Sequence, residues 1–141
     1  MKQELVSDWM TKEVITIAPE TTVKEAHDIM NEKSIRRLPV VSQNKVVGIV
    51  TLGDIRGAEP SKATSLSVWE TNHLLANLKV FEIMTRNPAT IHEDESIGEA
   101  ARIMLEKKFS GLPVVDDSKH LLGIITESDI FRLVVNEWHK D

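Results

Sequence analysis

The 141-residue sequence contains no cysteine, which excludes a disulfide framework, a thiol nucleophile and a cysteine-based zinc site. It has no apolar run long enough to span a bilayer, and its first residues lack the apolar stretch of a secretory signal. Its 22 acidic and 17 basic side chains give a net charge of −5, which disfavours general nucleic-acid binding. These absences predict a soluble, cytoplasmic protein with no membrane or nucleic-acid partner.

Motifs for catalysis and metal binding are also missing. The sequence has neither the G-x-x-x-x-G-K-[ST] phosphate loop nor the G-x-G-x-x-G dinucleotide fingerprint. Its five histidines show no ligand-like spacing, and no nucleophile, base and orienting group can be combined from spacing. We therefore expect that the protein is not an enzyme, that it has no metal site and that it requires no cofactor.

An internal duplication accounts for most of the sequence. Residues 6–41 align with residues 80–115 at 15 identities in 36 positions, and the match continues after one inserted residue. Repeats of this kind decide the fold. They predict two copies of one unit, which we place at residues 1–56 and 80–141, with residues 57–79 as a linker and amphipathic helix.

Each copy shows the same order of predicted elements, β-α-β-β-α. Alternating apolar residues predict strands, an S/T-x-x-E capping box with a buried stripe predicts a helix, and a polar turn between β-rich runs predicts a hairpin. The order predicts an α/β fold of two repeats packed sheet to sheet with pseudo-twofold symmetry. The predicted elements of the first copy are strand Val14–Ile17, a helix opened by Thr22, strands 38–41 and 46–51, and a helix from about Leu52; those of the second are strand Ala89–Ile91, a helix opened by Ser96, strands 112–115 and 121–126, and a helix from about Glu127.

A further helix is predicted between the copies. Gly57 and Pro60 mark a break, and residues 65–78 carry apolar residues at helical spacing, with Ser67-x-x-Glu70 as a cap. Two interpretations remain open. The helix packs over the core of its own chain, or it forms a dimer contact centred on Trp69, since tryptophan in an exposed apolar patch favours interfaces.

The repeated motifs carry a resemblance to a known family. Leu-Pro-Val-Val occurs twice, and each copy is followed by a related motif, Gly48-Ile-Val-Thr-Leu-Gly-Asp54 or Gly123-Ile-Ile-Thr-Glu-Ser-Asp129. The chain from Val6 to about Leu133 thereby resembles a tandem pair of cystathionine-β-synthase (CBS) domains, a Bateman module. The stretch of residues 61–69 is similar to CBS proteins associated with acetoin utilisation, which often carry a C-terminal ACT domain that this sequence lacks.

The resemblance implies a regulatory or sensory module with adenosine compounds as ligands. AMP, ADP and ATP are the usual ligands of the family, and S-adenosylmethionine, NAD or cyclic dinucleotides bind some members. The implied sites are two clefts related by the pseudo-twofold. Each cleft takes its ribose and phosphate contacts from one copy and much of its base pocket from the other.

The T-x-x-D sequence at the start of the last helix of each copy has a structural and a functional interpretation. As an N-cap it stabilises the helix by roughly 1 kcal/mol without any ligand. The same turn leaves a carboxylate that can accept from ribose hydroxyls, and a hydroxyl and free N–H groups that can hold phosphate. The resemblance assigns these roles to Asp54 and Thr51, and to Asp129 and Thr126.

A pair of arginines distinguishes the two copies. Arg36 and Arg37 precede the first Leu-Pro-Val-Val, whereas Ser110 and Gly111 stand at the matching positions. Arginine suits bidentate phosphate recognition, although the pair could also be a solvated strand edge. We expect the first cleft to bind a phosphorylated nucleotide, and the second to prefer a less charged adenosine compound or to stay empty.

The complete set of expected ligand contacts follows from the crossed arrangement of the family. The first cleft is expected to comprise Asp54, Thr51, Gly53, Arg36 and Arg37 with Met84, Ala89 and Thr90, and the second Asp129, Thr126 and Ser128 with Met10, Ile15 and Thr16.

Two features of the assembly are also expected. A homodimer is predicted because Trp9, Trp69 and Trp138 need cover, and an effector protein of unidentified nature would read the signal. The alternative is a structural dimerisation module whose clefts are vestigial.

Overall fold

The fold was analysed in a computed structural model, which describes residues 4–60 and 67–139. Of the stretch 61–69, which is similar to CBS proteins associated with acetoin utilisation, residues 61–66 lie outside the described residues. The elements, in chain order, are α1 (Val6–Trp9), α2 (Val23–Lys33), β1 (Arg37–Ser42), β2 (Lys45–Thr51), α3 (Leu52–Ala58), α4 (Val68–Asn77), a 3₁₀ turn (Val80–Glu82), β3 (Thr85–Arg86), β4 (Ile91–His92), α5 (Ile97–Lys107), β5 (Gly111–Val115), β6 (Leu121–Thr126) and α6 (Glu127–Trp138).

The chain folds into two compact units. The first unit is formed by residues 15–88, and the second unit combines residues 1–14 with residues 89–141. Each unit contains one three-stranded sheet, β1-β2-β3 in the first and β4-β5-β6 in the second. The combination of a sheet and helices in each unit confirms the predicted α/β class.

The first unit is built on the antiparallel hairpin of β1 and β2. Arg37 lies opposite Thr51 and Pro39 opposite Ile49 in this pairing, and β3 adds to the other edge of β2 in antiparallel orientation. The predicted stripe of α2 is buried against the hairpin, because its apolar residues fall on one face at helical spacing. The buried core residues of this unit are Ile17, Val23, Ala26, Met30, Leu38, Val40, Val50, Ile55, Leu75 and Val80.

The second unit repeats this plan with a different edge strand. β5 pairs with β6 in antiparallel orientation, with Gly111 opposite Thr126, and β4 runs parallel to β5. The stripe of α5 is buried like that of α2. The buried core residues of this unit are Val6, Ile91, Ile97, Ala100, Met104, Leu112, Val114, Ile125 and Leu133.

The predicted caps of α2 and α5 form in part. The Thr22 hydroxyl accepts from the Glu25 N–H at 3.0 Å, and the Ser96 hydroxyl accepts from the Glu99 N–H at 3.1 Å. The return bond from the carboxylate is not part of either cap. In α5 the Glu99 carboxylate instead accepts from the Arg102 guanidinium, and this bond lowers the pKa of Glu99.

The first predicted strand is wrong. Within Val14–Ile17 only Ile17 pairs, through an isolated parallel bridge to Val40. Ile15 and Thr16 are exposed, so the alternation of apolar residues does not match an alternation of burial here. In the second copy the strand is two residues long and begins at Ile91 rather than Ala89.

Two short segments that the sequence reasoning missed complete the sheets. Thr11 exchanges two backbone hydrogen bonds of 2.9 Å with Ile124 in β6, and β3 places Thr85 opposite Ile49 in β2. Thr11 and Thr85 are equivalent positions of the repeat. The leading segment of each copy is therefore built into the unit formed by the body of the other copy.

The helix between the copies begins at Val68 in the structure. Its predicted cap forms, because the Ser67 hydroxyl accepts from the Glu70 N–H at 3.1 Å and the Glu70 carboxylate accepts from the Ser67 N–H at 3.4 Å. Leu75 is buried in the core of the first unit, which supports packing within the chain. Trp69 is 74% exposed and stacks on His73, so it stays available for a partner.

In each sheet a glycine, Gly48 or Gly123, lies so close to the segment from the other copy that a larger residue would not fit without a shift. A Cβ on Gly123 would lie 2.7 Å from both the Met10 Sδ and the Thr11 carbonyl oxygen. We expect Gly123→Ala to lower the free energy of unfolding by about 1–3 kcal/mol, as overpacking does. Urea denaturation measures the change.

Gly57→Ala is the matched control for this test. Gly57 lies in α3, and a Cβ there meets nothing within 4 Å, so this variant should gain about 0.5–1 kcal/mol from helix propensity. Unfolding of Gly123→Ala at the wild-type urea concentration would contradict the close approach of Met10 and Thr11.

Candidate functional site

The candidate site of the first unit is the junction between β2 and α3. Thr51 is both the last residue of β2 and the N-cap of α3. Its hydroxyl accepts from the Asp54 N–H at 3.2 Å, and the Asp54 carboxylate accepts from the Thr51 N–H at 2.9 Å. The reciprocal bonds form a capping box, so the predicted capping role of this threonine and aspartate is confirmed.

Two arginines belong to the same edge of the first sheet. Arg37 lies opposite Thr51 in the β1–β2 register, and the Arg36 carbonyl accepts from the Leu52 N–H at 2.8 Å. A backbone hydrogen bond therefore connects the residue before β1 with the first residue of α3. The backbone of two arginines therefore lies next to that of the capping threonine, close in the chain to a half-buried aspartate, and these residue types suit an anionic, hydroxylated ligand.

The second unit repeats the backbone of this junction. Gly111 lies opposite Thr126, and the Ser110 carbonyl accepts from the Glu127 N–H at 3.1 Å. The Asp129 carboxylate accepts from the Thr126 N–H at 2.8 Å and from the Thr126 hydroxyl at 3.2 Å. The two predicted T-x-x-D sites thus share the bond from the threonine N–H to the aspartate, whereas the threonine hydroxyl accepts from the Asp54 N–H in the first site and donates to the Asp129 carboxylate in the second.

The aspartates of the two junctions differ in their surroundings. Asp129 is fully buried (0% exposed), and its second oxygen accepts from Arg132 Nη2 at 2.8 Å. Arg132 stands one turn further along α6, where the first copy has Gly57. Sequence reasoning missed this arginine, although its spacing of three residues from Asp129 on a predicted helix is a recognisable signal for an ion pair.

A methionine lies close to each junction. Met84 approaches Gly48 of β2 in the first unit, and Met10 approaches Gly123 of β6 in the second, each so closely that a Cβ on the glycine would meet the side chain. In both units this glycine stands three residues before the capping threonine. The structure thus places Met84 in the unit of Asp54 and Met10 in the unit of Asp129.

The remaining expected contacts are divided between the units. Gly53 and Ser128 lie in the first turns of α3 and α6, and both are exposed. The structure assigns Ala89 and Thr90 to the second unit, and Ile15 and Thr16 to the first. Their contribution to the opposite aspartate's cleft stays a prediction.

Two histidines of the second unit lie beside aspartates that follow β5. His92 Nε2 lies 2.7 Å from Asp117, and His120 Nδ1 lies 3.1 Å from Asp116. The pKa of Asp116 is lowered, chiefly because its carboxylate accepts the backbone N–H of His120. Within residues 4–60 and 67–139, no group of three histidine or acidic side chains is arranged to hold a metal ion.

None of the helices in the described part of the chain is long and apolar enough to cross a membrane.

Three solved structures closely resemble this fold. The CBS domain pair of protein MJ0100, in complex with 5′-methylthioadenosine and S-adenosyl-L-methionine, is 37% identical with a TM-score of 0.78, and covers 96% of this chain and 99% of its own. CBSX2 of Arabidopsis thaliana in complex with AMP is 29% identical with a TM-score of 0.83, at the same coverage of 96% and 99%. A protein of Vibrio cholerae assigned to acetoin utilisation (AcuB) is 29% identical with a TM-score of 0.79, and covers 97% of this chain and 94% of its own.

The curated relatives are longer proteins in several cases. Protein MJ1225 of Methanocaldococcus jannaschii, which is uncharacterised, is 39% identical over 132 residues. The match covers 89% of this chain but 47% of the relative, so the chain spans about half of that protein. It spans about a quarter of other relatives, such as an inosine-5′-monophosphate dehydrogenase and a homoserine O-acetyltransferase.

The family model agrees with the duplication and with these likenesses. The model of the CBS domain matches residues 6–61 and again residues 80–136, which are the two copies that carry the T-x-x-D junctions. The chain therefore belongs to the CBS-domain family, as a tandem pair of CBS domains.

Proposed function

We propose that this protein is a regulatory module that binds adenosine nucleotides (AMP, ADP or ATP) at its T-x-x-D junctions. The observation that carries the proposal is the alignment of Arg36 and Arg37 with the Thr51–Asp54 cap at one edge of the first sheet. AMP in CBSX2 and two adenosine compounds in the MJ0100 pair support this ligand class.

Asp54 would hold the ribose in the first site. Its capping bond to the Thr51 N–H uses Oδ2, whereas a carboxylate can accept about four hydrogen bonds. The carboxylate therefore keeps acceptor capacity for the two ribose hydroxyls while it caps α3. Because the cap already fixes its orientation, little side-chain entropy is lost when the ligand binds.

Arg36 and Arg37 would bind the phosphate of the same ligand. A guanidinium presents planar donors that match a phosphate in a bidentate manner. The Thr51 hydroxyl and Gly53, which leaves the start of α3 without a side chain, would complete the phosphate contacts. Met84, Ala89 and Thr90 would pack on or bond to the base.

The second site would use the equivalent groups of the other unit. Asp129 would take the ribose, and Thr126 and Ser128 would lie nearest the phosphate. Met10, Ile15 and Thr16 would supply the base contacts.

Ligand occupancy would act by shifting a conformational equilibrium. A ligand moves such an equilibrium only by its differential affinity for the two states, and coupling of about 1–3 kcal/mol is usual. We propose a sensor without catalytic activity, which works in the cytoplasm and passes its signal to an effector protein or to a longer polypeptide. S-adenosylmethionine, NAD and cyclic dinucleotides are the alternative ligands.

Nucleotide binding tests the first site. We expect Asp54→Asn and Arg37→Ala each to weaken AMP binding at this site by about tenfold or more, since each removes a charged hydrogen-bonding group worth about 1.5–3 kcal/mol. Titration calorimetry with AMP, ATP and S-adenosylmethionine measures the affinities. Asparagine keeps an oxygen that can accept the Thr51 N–H, so the first variant retains the cap.

Lys45→Ala is the charge-matched control for Arg37→Ala. Lys45 begins β2 and Thr51 ends it, so the two lie about 20 Å apart along the strand. AMP affinity should be unchanged in this control. Equal AMP affinity in the wild type, Asp54→Asn and Arg37→Ala would reject the assigned site.

An exposed apolar stripe supports the proposal that the protein forms a homodimer. Phe131, Val134, Val135 and Trp138 recur at helical spacing on α6 and are all exposed, Trp138 by 83%. A contiguous apolar face of this kind marks an interaction surface, and tryptophan is enriched where binding energy concentrates. The same stripe is the observation that favours a purely structural dimerisation module.

Sedimentation velocity over a range of protein concentrations tests the dimer. Trp138→Glu should shift the population toward monomer and weaken the dimer by at least about tenfold, the effect expected for an interface hot spot. Leu105→Glu on α5 is the control, because Leu105 is equally exposed (82%) but lies outside the stripe. A wild type that is monomeric at every concentration would refute the dimer.

The alternative, a purely structural dimerisation module, predicts a different result. The protein would then form a dimer, and no adenosine compound would change its melting temperature in a thermal-shift panel.

A further inference from the structure

The ion pair between Asp129 and Arg132 separates the two sites more clearly than any other feature. Asp129 is fully buried, and each of its oxygens is in use: Oδ2 accepts from Thr126 and Oδ1 accepts from Arg132 at 2.8 Å. The Arg132 side chain is 63% exposed. A buried carboxylate is thus held by a guanidinium that reaches in from the surface.

The position equivalent to Arg132 carries no arginine in the first unit. The residue one turn after Asp54 is Gly57, which carries no side chain, and Asp54 is half-buried rather than buried. Arg36 and Arg37 lie instead at the start of β1, where Arg37 is opposite Thr51. The strand register and the bond from the threonine N–H to the aspartate are therefore the same in both junctions, whereas the burial of the aspartate and the position of the nearby arginines differ.

Ribose binding at Asp129 requires Arg132 to give up its bond. Asp129 Oδ2 already accepts two hydrogen bonds, and a carboxylate oxygen accepts about two. Both ribose hydroxyls must therefore donate to Oδ1, and together they displace the guanidinium from that oxygen. If Arg132 leaves without a new partner, the site loses a charge-assisted hydrogen bond to a buried carboxylate, which is costly. A phosphate group offers the released guanidinium an equivalent bidentate partner, whereas a neutral nucleoside offers none.

We propose that Arg132 is a charge-selective latch, which makes the Asp129 site prefer phosphorylated adenosine compounds over adenosine itself. In the free protein Arg132 occupies Asp129; when a nucleotide binds, the ribose takes over Asp129 and the phosphate takes over Arg132. This inference rests on the proposed nucleotide function. It reverses the expectation, drawn from Ser110 and Gly111, that the second site takes a less charged ligand.

Exposure of the guanidinium makes the exchange feasible. Only the carboxylate is buried, while most of the Arg132 side chain already lies at the surface, so it can turn outward by rotation about its own side-chain bonds. The backbone of α6 need not move, because Asp129 keeps its bond to the Thr126 N–H throughout.

Titration calorimetry with AMP and with adenosine tests the latch in an Asp54→Asn, Arg37→Ala background, where the first site is weakened by both substitutions and the second site dominates the signal. We expect Arg132→Gln to bind adenosine about tenfold more tightly, the equivalent of one charge-assisted hydrogen bond that no longer competes. Its preference for AMP over adenosine should fall by about tenfold or more. Arg132→Lys keeps the charge and should keep most of the preference.

The first site allows the reciprocal experiment. A Cβ at Gly57 meets nothing within 4 Å, so Gly57→Arg installs the missing guanidinium one turn after Asp54. In an Asp129→Asn background, this variant should bind adenosine about tenfold more weakly, with a smaller loss for AMP. Circular dichroism and thermal melting verify that each variant is folded.

Three results are distinguishable. A change of the AMP-to-adenosine preference in the expected direction supports the latch. A change of melting temperature with an unchanged preference shows that Arg132 only stabilises α6, and overturns the latch while nucleotide binding stands. Failure of the wild type and of every variant to bind any adenosine compound overturns both proposals.

Discussion

The N-cap formed by a threonine and an aspartate is the interaction on which both candidate sites depend. In each unit the last strand of the hairpin passes directly into a helix, and the aspartate accepts the backbone N–H of the capping threonine at 2.8–2.9 Å. This bond fixes the carboxylate before any ligand arrives. A side chain placed in this way stabilises the helix, and its fixed orientation also suits the proposed binding role, so the structural role and the proposed role do not compete.

Each unit is completed by the first residues of the other copy: residues 1–14 belong to the second unit, and the segment that begins at residue 80 belongs to the first. A repeat of about 50 residues is small for an independent core, and in this chain each unit gains a segment from the start of the other copy. The contact is close: Met10 and Thr11 approach Gly123, and Met84 approaches Gly48. Because the methionine lies beside the strand that leads into the cap, the packing of one copy's leading segment bears directly on the site of the other.

Divergence between the copies has changed charge and kept geometry. The hairpin register, the cap and the glycine contact recur in both units, whereas the arginines lie at the start of β1 in the first unit and in the second turn of α6 in the second. Strand register and close packing depend on many residues at once. A substitution at one contact therefore disturbs the neighbouring contacts. The charged groups near the aspartate therefore distinguish the two junctions, and we expect a difference in ligand preference to arise from them.

Patterns in the sequence were sufficient to find the duplication, the helices α2 and α5, the hairpins and the capping threonines. The duplication shows as repeated residues, the helices and hairpins as hydrophobic periodicity, and the caps as two polar residues three positions apart. Patterning over-predicted the strand at Val14–Ile17, since alternation does not reveal whether a neighbouring strand is available to pair along its length. Only the tertiary structure decided that Met10 packs on Gly123, and that Asp129 is buried while Asp54 is not. Burial and strand pairing arise between residues far apart in the chain, and the spacing of residues in one segment carries no record of them.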